Sequence, residues 1–75
     1  MKLVISAPSA ENVEVTGPLE YLYSVVRDDV RGRGGSPDAV RTVMRKLAIP
    51  VFSIRGATYG DENGYMIAAY RITRG

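Results

Sequence analysis

The spacing of apolar residues changes period several times along the chain, and each change marks an element. Lys2-Leu3-Val4-Ile5-Ser6 is a short apolar run with β-branched Val4 and Ile5, which predicts a strand. Ala7–Asn12 mixes proline with small polar residues and reads as a loop. Val13-Glu14-Val15-Thr16 alternates strictly, the period of a second short strand. From Gly17-Pro18 the period lengthens. Leu19, Leu22, Tyr23, Val26 and Val30 share one helical face. Pro18 suits a first turn, where its missing N–H costs nothing, and Glu20 complements the positive end of the helix. This helix is expected to end near Val30. Arg31-Gly32-Arg33-Gly34-Gly35 loses too much backbone entropy to continue it.

A second helix opens at Ser36-Pro37-Asp38, where serine caps, proline takes the first helical position and aspartate faces the positive helix end. Val40, Val43, Met44 and Leu47 form its apolar stripe, while Arg41, Thr42, Arg45 and Lys46 fall largely away from it. It stops before Pro50, whose ring disfavours helical geometry in the residue ahead. Two strands are then expected. In Pro50–Gly56, Phe52 and Ile54 share a face; in Tyr65–Thr73, Met66, Ala68, Tyr70 and Ile72 do, with Ile67 opposite. The connecting Ala57–Gly64 is rich in turn formers and ends in Asn63-Gly64. The order is β(β)ααββ, an α+β fold with two helices and a small antiparallel sheet. One domain covers residues 1–75, and its hairpin and N-terminal strand are expected to share that sheet. The chain has no internal repeat and no low-complexity segment.

With no cysteine and no histidine, disulfides, thiol catalysis, histidine-assisted catalysis and the usual zinc sites are excluded. No pair of carboxylates stands out as a general acid and base, so an enzyme is not expected. Asp61-Glu62-Asn63-Gly64 offers oxygen ligands but lacks the length and terminal glutamate of a calcium loop. No metal or cofactor is called for. No apolar run approaches the roughly 20 residues of a membrane span, and Met1–Ser6 is too short for a signal peptide's apolar core. The expectation is a cytoplasmic protein without a membrane partner.

The net charge is only +2, yet it is unevenly spread. Residues 1–40 hold four basic and six acidic side chains; residues 41–75 hold six and two. That asymmetry can build a basic face for phosphates or for an acidic protein surface. The row Arg41, Thr42, Arg45 and Lys46 on the second helix is the best candidate, since cations on a helix in the major groove pair with guanine edges and phosphates. An ordinary solvated helix face explains the same spacing equally well. Arg33, in the loop beside the N-terminus of the second helix, is a candidate phosphate contact, although a flexible loop with solvated charges is the plainer account.

Val40, Arg45-Lys46-Leu47, Pro50, Ile54-Arg55-Gly56 and Gly64-Tyr65 together resemble a winged helix-turn-helix domain of the response-regulator effector type, over residues 36–72. Val13–Leu22 is similar to the strand-to-first-helix junction of that family. The resemblance implies a recognition helix over 36–48 and a hairpin wing over 50–73. Arg41, Thr42 and Arg45 would face bases, Lys46 and Arg55 phosphates, and Thr58 to Asn63 would form the wing. The chain departs from the family in two places. A glycine-rich loop stands where a supporting helix belongs, so the first helix would take that role, and the wing tip is acidic.

These features together predict a small regulator of transcription or recombination, binding double-stranded DNA, with a homodimer as its candidate assembly. The alternative is a small protein-binding inhibitor or modulator of the phage type, docking on a host protein without binding DNA. An RNA-binding module comes third, for want of an aromatic stacking platform on the strands.

Overall fold

A computed structural model describes residues 1–74. Two helices lie across one face of a four-stranded antiparallel sheet. In chain order the elements are β1 (Lys2–Ser6), β2 (Val13–Thr16), α1 (Leu19–Gly32), α2 (Pro37–Leu47), β3 (Arg55–Gly60) and β4 (Met66–Thr73). The strand order is β2-β1-β4-β3, so the first and last strands of the chain are the two central ones. Ile5 opposes Tyr70 and Leu3 opposes Ile72 across that central pair. The α+β class, the element order and the sharing of one sheet follow the sequence expectation. No helix among the described residues is long and apolar enough to cross a membrane.

Period-2 alternation decides which face is covered. Leu3 and Ile5 from β1, Ala57 from β3, and Ala68, Tyr70 and Ile72 from β4 are buried under Leu22, Val26 and Val30 of α1 and Val40, Val43 and Leu47 of α2. Leu19, Tyr23 and Met44 close the edges of this single cluster. Each fully buried aliphatic side chain contributes about 1.5–3 kcal/mol. The opposite face carries Lys2, Glu14, Thr58 and Arg71 together with Val4, Ile67 and Ala69, and no helix covers it.

The turn between the helices is tight rather than flexible. Helix α1 continues two residues past Val30 and closes in a Schellman motif. The Gly35 N–H donates to the Val30 carbonyl at 2.9 Å, and the Gly34 N–H donates to the Arg31 carbonyl at 2.9 Å. Gly34 holds φ +88°, and a Cβ on Gly35 would lie 2.8 Å from the Val30 carbonyl oxygen. The glycines end α1 by satisfying its last carbonyls, not merely by failing to propagate it. Helix α2 starts as expected: the Ser36 hydroxyl accepts from the Ala39 N–H at 3.1 Å, and Pro37 is the first helical residue.

The C-terminal hairpin is displaced from its expected place. Its first strand is Arg55–Gly60, not Pro50–Gly56, and it occupies the first half of the expected loop Ala57–Gly64. Arg55, Ala57 and Tyr59 point to the helices and pair with Ile72, Tyr70 and Ala68, so cross-strand packing overrides a glycine-rich composition. The expected strand run Val51-Phe52-Ser53-Ile54 is instead a two-residue turn. Val51 and Ile54 exchange both backbone hydrogen bonds, at 2.8 and 2.9 Å. Phe52 and Ser53 both take positive φ, 49° and 67°, the pattern of a type I′ turn.

Candidate nucleic-acid interface

Helix α2 presents the candidate residues because of how it is anchored. Val40, Val43 and Leu47 fix its inner face to the sheet and to α1, which leaves the opposite side to solvent. Arg41, Thr42, Arg45 and Lys46 are all exposed on that outer side. From Ala39 to Gly60 the chain holds four basic side chains and no acidic one. The acidic Asp38 stands at the start of the helix. It pairs with Arg41 at 2.9 Å, both side chains largely in water. Such an exposed pair is worth under about 1 kcal/mol, so Arg41 is easily released to a phosphate. The Thr42 hydroxyl donates to the Asp38 carbonyl at 2.9 Å, which spends its proton and keeps its oxygen as an acceptor. Among the described residues, Arg45 and Lys46 take part in no ion pair.

The other two candidates are committed to partners within the fold. Arg55 reaches back to the C-terminus of α2 and donates to the carbonyls of Leu47 at 3.3 Å and Ala48 at 2.9 Å. There it satisfies orphan carbonyls and complements the negative helix end. Arg33 donates to Asp29 Oδ2 at 2.6 Å. That same oxygen accepts from the Tyr70 hydroxyl at 2.7 Å. Burial, then the hydrogen bond to Asp29, raises the Tyr70 phenol well above its ordinary range. The bond to Asp29 also raises the Arg33 guanidinium. Asp29 and Arg33 are four residues apart, a pairing that helical spacing allows, but Tyr70 lies 41 residues from Asp29 and sequence spacing gave no hint of it. The structure thus groups Arg41, Thr42, Arg45 and Lys46 on one surface and gives Arg33 and Arg55 structural partners elsewhere.

A feature absent from the sequence reading adjoins this surface. Phe52 is 96% exposed at the tip of its turn, with Ile49, Val51 and Ile54 exposed around its base. Lys46 shares a shallow groove with these four residues. Arg55 and Arg74 line a second depression on the Ser53 side of the turn. One signal was present in the sequence: Ile49, Val51, Phe52 and Ile54 are more apolar bulk than one face of a short strand can bury.

The loop joining β3 to β4 is shaped by Asp61, whose carboxylate accepts from the N–H groups of Asn63 and Tyr65, both at 2.9 Å. This tip is acidic and lies at the end of the hairpin remote from Phe52. Among the described residues, no group of three or more acidic side chains could hold a metal ion. Comparison with protein-family models, with curated proteins and with solved structures returns no match.

Proposed function

We propose that this protein is a small regulator that binds double-stranded DNA through the outer face of α2. The observation that carries the reading is the exposed row of Arg41, Thr42, Arg45 and Lys46, with Asp38 at the helix start as its one acidic neighbour, on a helix whose opposite side is locked into the core. Arg41 and Arg45, one turn apart on the outer face, suit base edges and the phosphates beside them, and Lys46 in the last turn suits a phosphate. A winged helix-turn-helix arrangement suits this role, with α1 as the supporting helix across the two-glycine turn. A dimer would place two such helices on successive half-sites. The sheet's open face carries no aromatic ring on its strands among the described residues, which places RNA-type base stacking there behind the helix reading.

Fluorescence anisotropy on a labelled mixed-sequence duplex at several salt concentrations tests the proposal. Each phosphate neutralised contributes about −0.9 to the slope of log affinity against log salt. Replacing Arg41, Arg45 and Lys46 by glutamine should therefore flatten the slope by about 2–3. An unchanged slope, or no binding by the wild type at low salt, ends the reading. The second reading is a protein-docking module, favoured by the exposed apolar turn at Phe52. It requires a protein partner and no interaction with DNA.

A further inference from the structure

We infer that Phe52 is a stacking wedge that inserts against exposed or partly unstacked bases while Lys46 and Arg74 hold the phosphates. The inference rests on the DNA-binding reading above and extends it to a residue outside the basic helix.

Three observations converge on Phe52. Its side chain projects, 96% exposed, from the tip of a two-residue turn, so the ring stands clear of its apolar neighbours. Its backbone is strained. A type I′ turn favours Asn-Gly at its centre, and a bulky aromatic at φ 49° is costly there. Such strain persists where it serves a site more often than where it serves packing, and Phe52 packs against almost nothing. Lastly, Lys46 lines the groove that holds Phe52, and Arg74 lines a depression beside Ser53 of the same turn. No acidic side chain occurs anywhere from Ala39 to Gly60. An apolar ring flanked by positive charge matches how proteins unstack base steps or hold single strands, with the aromatic face against a base and the cations on the backbone.

Two other occupants fit less well. A second copy meeting this face about a two-fold axis would bring Lys46, Arg55 and Arg74 of both chains together. An acidic protein groove would satisfy the charge, but it would be matched by a broad patch rather than a single projecting ring.

The chain contains no tryptophan, so Phe52→Trp introduces a unique reporter. Its emission should be quenched on titration with a mixed-sequence 20-base-pair duplex or a poly(dT) strand. The two probes distinguish insertion into a duplex from stacking on a single strand. Phe52→Ser should weaken binding to the responding probe by about 5- to 100-fold, the range of one lost base stack, with the salt slope unchanged. A second variant guards against misfolding. Phe52→Asn with Ser53→Gly gives the turn its favoured residues, so it should raise Tm by a few degrees yet bind as weakly as Phe52→Ser.

Wild-type binding that survives Phe52→Ser at full strength, or an indole that DNA leaves unquenched, overturns the wedge and leaves the helix reading standing. Emission that shifts with protein concentration alone overturns it in favour of a second copy. Absence of binding by the wild type to either probe removes both readings.

Discussion

Tyr70, on the central strand β4, donates its phenolic proton to Asp29 of α1 at 2.7 Å, tying the helix to the sheet across 41 residues of chain. The same carboxylate oxygen holds Arg33 at the end of α1. The ring of Tyr70 is buried in the core while its hydroxyl reaches the partly exposed carboxylate at the edge. The bond therefore sets the position of α1's last turn, from which the Schellman motif launches α2.

Removing that hydroxyl with Tyr70→Phe should cost about 1–2 kcal/mol, as expected for a hydrogen bond to a charged acceptor, measurable by urea unfolding. The pH dependence has a definite sign. Folding raises the Tyr70 phenol above its ordinary value of about 10, so its contribution is whole below that pH. Above about pH 10 the unfolded chain ionises first and stability is lost. The stability gap between wild type and Tyr70→Phe should narrow as pH rises from 10. A gap constant to pH 11 would place the phenol in an unshifted environment.

The inter-helix turn should be intolerant of any side chain at Gly35. A Cβ there would lie 2.5 Å from Val30 Cγ1 and 2.8 Å from the Val30 carbonyl oxygen, and backbone cannot yield as a side chain can. Gly35→Ala is expected to destabilise by more than 1 kcal/mol on the order of a small core defect. Gly32→Ala, with open space around it and helical geometry, should be neutral or stabilising by up to about 1 kcal/mol. Thermal unfolding of the two variants, read side by side, checks the contrast.

Arg55 is expected to behave as a helix cap rather than a phosphate contact. Arg55→Ala should lower stability by about 1 kcal/mol, through the carbonyls of Leu47 and Ala48 that it leaves to water. The salt slope of DNA binding should stay within error of the wild type. A slope flattened by about 1 would instead give Arg55 a phosphate.

Loss of the Ser36 hydroxyl should loosen the start of α2 without touching its basic face. Ser36→Ala removes the acceptor for the Ala39 N–H, a change worth about 1 kcal/mol. Amide hydrogen exchange should accelerate at Asp38 and Ala39 while Leu47 keeps its protection.

Local signals were sufficient for both helices and for β1, β2 and β4. The stripe Val40, Val43, Leu47 and the cap Ser36-Pro37 specify α2 without help from the rest of the chain, as Leu22, Val26 and Val30 specify α1. The outward basic row followed directly, because burying one face of a helix exposes the other. Three features needed the folded chain. Strand β3 is assembled from Arg55-Gly56-Ala57-Thr58-Tyr59-Gly60, whose composition favours a loop, and only pairing with Ala68, Tyr70 and Ile72 makes it a strand. Arg33 and Arg55 look like free cations in sequence, but Asp29 and the end of α2 claim them once the elements meet. Phe52 looks like a strand residue sharing a face with Ile54, yet it sits at the tip of a turn outside the sheet and stays exposed. Period and capping are written in neighbouring residues, whereas strand pairing, the partners of a charge and the exposure of a ring depend on contacts between segments far apart in the chain.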